Sequence, residues 1–121
     1  MNPKIRFLTM VAVVAAMIGA GARPVLADEA AAKASYTTFC VKCHGESGKG
    51  DGPAAATLKT KPRDFTNCAQ MTAIKDDTLF NVIKNGGGAA NLSAEMPAWK
   101  DGFEDPEIKD LVAFVRTFCK K

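Results

Sequence analysis

The chain is poor in imidazole: its 121 residues contain one histidine, His44. Any site that needs two imidazoles from this chain is therefore excluded. Alternation of apolar and polar residues with a period of two is almost absent, so the sequence predicts no β-sheet. After residue 27 the sequence also contains no internal repeat and no low-complexity tract. A chain of this length and pattern is expected to form one domain at most.

The longest apolar run is short. It covers residues 7–22, which is 16 residues, and a membrane-spanning helix needs ~18–20. Lys4 and Arg6 precede this run, and residues 25–27 supply small residues where a signal peptidase would cut. The pattern predicts a cleaved secretory signal peptide over residues 1–27. An uncleaved membrane anchor is the alternative.

The remaining segment, residues 28–121, is formally neutral. The whole chain has 16 basic and 13 acidic residues, but three of the basic ones lie in the first 27 residues, which contain no acidic residue. The segment therefore has 13 residues of each sign. This balance gives no indication of binding to nucleic acid or to an anionic membrane. We expect a single exported domain, with no stable membrane insertion after signal cleavage.

Cys40, Cys43 and His44 form the pattern C-x-x-C-H, which is the attachment signature of a c-type haem. Two thiols at this spacing reach the two vinyl groups on one edge of a porphyrin. The next residue then places an imidazole nitrogen under the ring, where histidine is the usual proximal ligand. We therefore expect one haem c, attached through thioether bonds to Cys40 and Cys43, with His44 on the iron.

The same cysteines are compatible with other chemistry. A C-x-x-C pair can be a thioredoxin-like redox motif, but that motif needs a βαβ context, which the sequence does not show. The pair can also be half of a zinc site, although only Cys68 and Cys119 remain as further sulfur ligands. A thiol oxidoreductase without haem would have no visible spectrum, which distinguishes it from the haem interpretation.

A second axial ligand must come from another part of the chain, most simply from a methionine thioether, which raises the reduction potential of the iron. Met71 and Met96 are the methionines that follow residue 27. Met96 lies in a predicted loop over residues 87–98 and precedes Pro97, whose fixed φ stiffens the backbone there. Met96 is therefore the predicted ligand. Met71, or an open or water-ligated iron, is the alternative.

The sequence predicts three main helices: the first from an alanine-rich run of good helix formers, and the other two from apolar periodicity and capping residues. Asp76 or Asp77 is the expected N-cap of the second helix. Asp105 is the expected N-cap of the third, with Pro106 at its first helical position. The glycine-rich residues 45–53 form a loop that does not match a phosphate-binding motif. The predicted helical spans are 28–39, 76–85 and 105–119, with a short helical turn at 54–58.

The order of these motifs resembles that of a class I c-type cytochrome, of the small bacterial periplasmic mono-haem kind. After the first helix and C-x-x-C-H come G-x-G-D-G-P, K-P-R-D-F, L-F-x-x-I-x-x-G, M-P-x-W and an amphipathic helix that ends in F-V-R-x-F. The resemblance covers nearly all of residues 28–121. It implies an all-α fold, in which three to five short helices surround one covalently bound haem.

The resemblance also implies roles for individual residues. Cys40 and Cys43 would hold the haem, with His44 and Met96 as the axial ligands of the iron. Pro53 resembles the family proline whose carbonyl accepts a hydrogen bond from the ligand imidazole, a bond that fixes the ring and raises its basicity.

Five further residues have roles that rest on the resemblance. Leu58 and Trp99 are expected to pack near the haem, although ordinary core positions would explain them equally. The small and aromatic residues expected where the first and last helices cross are Ala32, Tyr36 and Phe114.

The chain differs from the typical family member in its two further cysteines, Cys68 and Cys119. An even pair of cysteines in an exported protein is consistent with a disulfide. Such a bond would close a loop of 51 positions and tie the last helix to the loop at the haem edge. Free thiols, or pairing of Cys119 between chains, are the alternatives that the sequence leaves open.

The function that follows is electron transfer, because an iron with histidine and methionine ligands has no vacant position for a substrate. We expect a monomeric electron carrier with transient redox protein partners, and not an enzyme. One alternative is a haem-bearing subunit of a larger oxidoreductase. Another is a ligand-binding or catalytic haem whose sixth position opens.

Overall fold

Five α-helices make up the regular structure of residues 28–120, which are the residues described by the computed structural model. Within this range there is no β-strand, so the predicted all-α class is confirmed. The predicted signal peptide lies outside the described residues. The helices are α1 (Glu29–Phe39), α2 (Val41–His44), α3 (Cys68–Ala73), α4 (Asp76–Asn85) and α5 (Asp105–Thr117), with 3₁₀ turns at Ala55–Thr57 and Gly88–Ala90.

The helix starts show where the sequence interpretation needs correction. The N-cap of α4 is Lys75, and Asp76 and Asp77 lie in its first turn, where their charge still favours the helix dipole. The N-cap of α5 is Glu104 rather than Asp105. The backbone N–H of Glu104 donates to the Glu107 carboxylate at 2.8 Å. This capping-box bond places the start of the helix one residue before the proline.

Helix α3 was not predicted. It contains six residues, which is too short for apolar periodicity to be visible in the sequence. Its N-cap is Asn67, whose side-chain oxygen accepts from the backbone N–H of Gln70 at 3.2 Å. Asparagine is among the favoured N-cap residues, so this residue was the available signal.

The core is centred on the crossing of α1 and α5. Ala32 is buried on α1 and allows the two helices to approach closely. One turn later, the ring of Tyr36 packs against those of Phe114 and Phe118, with both centroid separations at 5.3 Å. Helix α4 packs against α5 and contributes the buried Leu79. Tyr36 also links the core to the loop after α2, because its hydroxyl donates to the Gly45 carbonyl at 2.8 Å.

A disulfide joins the start of α3 to the segment that follows α5. Cys68 is the first residue of α3 and Cys119 follows the end of α5; their Cα atoms are 5.2 Å apart. This separation lies within the range that disulfide geometry allows. The bond ties the C-terminal end of α5 to the segment that leads from the haem motif to α3.

Arg116 forms a second link between α5 and the middle of the chain. Its Nε donates to the Asp76 carboxylate at 2.8 Å. Its two terminal nitrogens donate to the carbonyls of Met71 and Ile74 at the end of α3. The Met71 carbonyl also accepts from the backbone N–H of Ile74 at 3.2 Å, so the guanidinium adds a charged donor at the end of α3.

We expect Arg116→Ala to lower the free energy of unfolding by about 2 kcal/mol, because partly buried carbonyls lose a charged donor. Lys109→Ala is the matched control, since Lys109 is exposed on the same helix. Denaturant unfolding of both variants measures the difference. Equal stability of the two variants would contradict the role given to Arg116.

None of the helices among residues 28–120 is long and apolar enough to cross a membrane. The apolar run on which the anchor alternative depends lies before the described residues.

Candidate haem site

Helix α2 is one turn long and holds the three residues of the C-x-x-C-H motif together. The backbone N–H groups of Cys43 and His44 both donate to the Cys40 carbonyl, at 3.1 and 2.9 Å. Residues three positions apart on a helix lie on the same side, so the two thiols face one direction. Both cysteines are half-buried and neither belongs to the disulfide. Burial, with a further contribution from Cys43, raises the pKa of the Cys40 thiol to about 11.

The glycine-rich loop after α2 folds back along the end of this helix. The backbone N–H groups of Gly50, Gly52 and Ala54 donate to the carbonyls of His44, Cys43 and Lys42, at 2.8, 3.1 and 2.9 Å. These bonds satisfy carbonyls at the helix end that would otherwise have no partner. The loop therefore fixes the backbone on which the motif is built.

The imidazole of His44 is oriented by two neighbours. Its Nδ1 lies 3.3 Å from the Arg63 carbonyl, and its ring stacks on Phe65 with centroids 4.5 Å apart. A hydrogen bond from Nδ1–H to this carbonyl leaves Nε2 with a free lone pair, which is what a metal ligand requires. Burial lowers the pKa of His44, and the Arg63 carbonyl opposes part of that shift.

The carbonyl that faces the imidazole is a correction to the implied role of Pro53. The acceptor within hydrogen-bonding distance of Nδ1 belongs to Arg63, and Pro53 is exposed. The loop around Pro62 comes close to the glycine-rich loop, since a Cβ on Gly50 would lie 3.0 Å from the Pro62 carbonyl carbon. The chain therefore brings residues 62–65 to the histidine, although they lie about twenty positions later.

An apolar cavity opens beside these groups and is lined by Cys40, His44 and Met96. Trp99 also lines it, as the prediction of a haem contact requires, whereas Leu58 lines a separate surface cleft with Gly50 and Gly52. The remaining lining residues are apolar or aromatic and come from α1, α4, α5 and the loops before α3 and α5; they are Tyr36, Phe65, Ile83, Phe103, Leu111 and Val115.

The two methionines have different surroundings. Met71 lies on α3, is 1% exposed and belongs to the hydrophobic core of the domain. It is not among the residues that line this cavity. Met96 is half-buried in the loop after α4 and reaches the cavity. The carbonyl of Met96 accepts from the backbone N–H of Gly87 at 2.9 Å. Further along the loop, the backbone N–H of Trp99 donates to the Ile83 carbonyl at 3.0 Å. The loop is therefore held along the C-terminal end of α4.

These residues fit the group that the motif implies. The paired thiols, the oriented imidazole and an apolar cavity that also contains a thioether are the features that a covalently attached, axially ligated haem requires. The competing interpretations lack their frameworks in the described part of the chain. Residues 28–120 contain no strand for a thioredoxin-like unit and no cluster of three or more candidate zinc ligands.

The fold and the site together define a class I c-type cytochrome. Residues 27–115 match the family described as "Cytochrome C oxidase, cbb3-type, subunit III", and the chain belongs to that family. It is also similar to a cytochrome c6 from Bryopsis maxima, with 29% identity over 80 residues that cover 66% of this chain and 80% of the relative. The predicted family, fold class and cofactor are confirmed: the protein carries a covalently bound haem c.

Proposed function

We propose that this protein is a one-electron carrier whose haem iron has His44 and Met96 as its axial ligands. One observation carries the proposal: both side chains, with Cys40, line the same cavity although Met96 lies 52 positions after His44. The haem supplies exchange of one electron between the ferric and ferrous states of its iron. Membership of a haem cytochrome family and similarity to a cytochrome c6 support electron transfer as the activity.

The residues of the chain account for how such a carrier works. Cys40 and Cys43 hold the cofactor, and Arg63 orients the imidazole through its carbonyl. Met96 would fill the position on the iron where a substrate or gas could otherwise bind, and the apolar side chains of α1 and α5 that line the cavity would exclude water from it. A pocket with these properties favours transfer of an electron to a partner over chemistry on a bound molecule.

We propose that this carrier acts in the periplasm as a monomer with transient redox protein partners, after cleavage following Ala27. The second candidate is a haem subunit of a larger oxidoreductase, which the description of its family favours. In that case the protein would co-purify with a catalytic chain from its native source. The candidate with an open sixth position is distinguished by the spectra described next.

Met96→Ala is expected to abolish the sulfur-to-iron charge-transfer band in the red part of the ferric spectrum. Loss of the thioether should also lower the reduction potential, because this ligand favours the ferrous state. The open position should then allow carbon monoxide to bind the ferrous protein, which the unmodified protein should not do. Visible spectra of the oxidised, reduced and carbon monoxide-treated forms measure all three effects.

Met71→Leu is the control for this experiment. Leucine nearly conserves the volume of methionine, so the core at Met71 is preserved while its sulfur is removed. The red band should remain in this variant. Loss of the band in Met71→Leu but not in Met96→Ala would assign the ligand to Met71. Rapid carbon monoxide binding by the unmodified protein would overturn the closed-site proposal.

A further inference from the structure

The loop that carries Met96 is fastened to a second, distant loop by the side chain immediately before the methionine. The two carboxylate oxygens of Glu95 accept from the backbone N–H groups of Lys59 and Thr60, at 3.0 and 3.1 Å. Lys59 and Thr60 precede Glu95 by 36 and 35 positions in the sequence. We call this contact the Glu95 bridge.

The Glu95 bridge is supported from its own side by Ser93. The Ser93 hydroxyl donates to Oε2 of Glu95 at 3.1 Å and accepts from the Glu95 backbone N–H at 3.2 Å. This local turn holds the carboxylate so that each oxygen faces one amide of the other loop. A carboxylate that receives two backbone N–H groups in this way makes charge-assisted bonds, which are stronger than neutral ones.

The bridge complements the other attachment of the same loop. On the α4 side, Met96 is held through its own carbonyl by Gly87, and a Cβ at Gly87 would lie 3.1 Å from the Cβ of Met96. That attachment fixes one edge of the loop only. The Glu95 bridge fixes the opposite edge to residues 59–60, which follow the glycine-rich loop of the haem motif. Together the two attachments span the methionine.

We propose that Glu95 is a positioning residue, whose bridge to Lys59 and Thr60 keeps the Met96 sulfur on the haem iron. The inference rests on the proposed function, since it takes Met96 as the axial ligand. Movement of the Met96 loop away from the iron requires that the bridge or the Gly87 bond break. A weaker bridge therefore increases the fraction of molecules in which the sixth position is open.

Glu95→Gln tests this proposal with little change in shape. Glutamine keeps one acceptor oxygen, but its amide nitrogen would present a donor to one of the two backbone N–H groups. The probe is imidazole added to the ferric haem protein, because it binds iron only where Met96 has left. Its apparent affinity scales with the open fraction. Glu95→Gln should therefore remove about one net hydrogen bond. The free energy of one such bond corresponds to about a five- to tenfold increase in the apparent affinity for imidazole.

Glu29→Gln is the control, since it removes the same charge from an exposed position in the first turn of α1. Its imidazole affinity and red band should match those of the unmodified protein. Ser93→Ala should shift the affinity in the same direction as Glu95→Gln, by a smaller factor. The thermal unfolding of each variant is recorded beside the spectra, so that a general loss of stability is separated from release of the methionine.

Each remaining outcome counts against the inference. An unchanged affinity in Glu95→Gln would overturn it, and equal changes in Glu95→Gln and Glu29→Gln would assign the effect to charge alone. If the unmodified protein shows no red band, or if the band persists in Met96→Ala, then Met96 is not the axial ligand. The role of Glu95 then fails with it. The Met96→Ala spectra therefore separate failure of the proposed function from failure of this inference.

Discussion

Replacing Cys68 and Cys119 together by serine is expected to lower the free energy of unfolding by about 4 kcal/mol. The disulfide closes a loop of 51 positions, and the chain-entropy model gives a stabilisation of this size for such a loop. A domain of this length has few other reserves, because small domains bury a smaller share of their surface. Denaturant unfolding, followed by haem absorbance and by circular dichroism, measures the loss.

Reduction of the unmodified protein provides the control. A thiol or phosphine reductant opens the disulfide but leaves the thioether bonds of the haem intact, because these are carbon–sulfur bonds. Both proteins are compared in the ferrous state, so that the reductant does not also change the iron. Reductant should lower the stability of the unmodified protein to that of the double-serine variant and should not affect the variant. A loss below about 1 kcal/mol would show that the bond constrains little.

The disulfide also has a position that bears on the haem site. The Sγ of Cys119 lies 3.1 Å from the carbonyl of Phe65, and the ring of Phe65 stacks on His44. The bond thus anchors the segment that orients the imidazole, as well as the end of α5. For this reason the visible spectrum of the double-serine variant should be recorded before its stability is interpreted.

Helices α4 and α5 could be predicted because each has ten or more residues, enough for several turns of apolar periodicity. Helix α1 was predicted from its alanine-rich run of good helix formers. Each of the three was predicted to within two residues. Helix α3 is shorter than two turns and showed no such pattern. At α5 the acidic residues Glu104 and Asp105 are adjacent, and which of them caps depends on backbone angles that the sequence does not fix. At α4 the cap is Lys75, a residue type that capping preferences do not indicate, and the two aspartates lie in the first turn instead.

The site could be predicted where its chemistry is local. C-x-x-C-H is contained in five residues, so its meaning does not depend on the rest of the fold. The acceptor for the imidazole is different, because it depends on how the chain returns to His44. Spacing and resemblance led to Pro53, whereas the fold brings the Arg63 carbonyl there. Whether Cys68 and Cys119 meet was likewise a question about distance, which only coordinates answer.

Gly52 shows how closely the haem motif depends on one residue without a side chain. Its backbone N–H bonds the Cys43 carbonyl at 3.1 Å, which draws the loop against α2. A Cβ at this position would lie 2.6 Å from the carbonyl carbon of Lys42 and would also overlap the carbonyl oxygens of Val41 and Lys42. These are backbone atoms of α2, which contains Cys43 and follows directly on Cys40, so they cannot move aside without disturbing the motif.

Gly52→Ala is therefore expected to destabilise the holoprotein by about 3 kcal/mol and to reduce the yield of covalently attached haem. Gly102→Ala is the matched control, because a Cβ there would meet its nearest atom, the Trp99 carbonyl oxygen, at 3.7 Å, an ordinary contact. Both changes reduce the freedom of the unfolded chain equally, so the difference between them isolates the collision in the folded state. Thermal unfolding and the ratio of haem absorbance to protein measure the two effects. Equal stability and haem content in the two variants would show that the loop can withdraw from α2 at no cost, and that the motif does not depend on this contact.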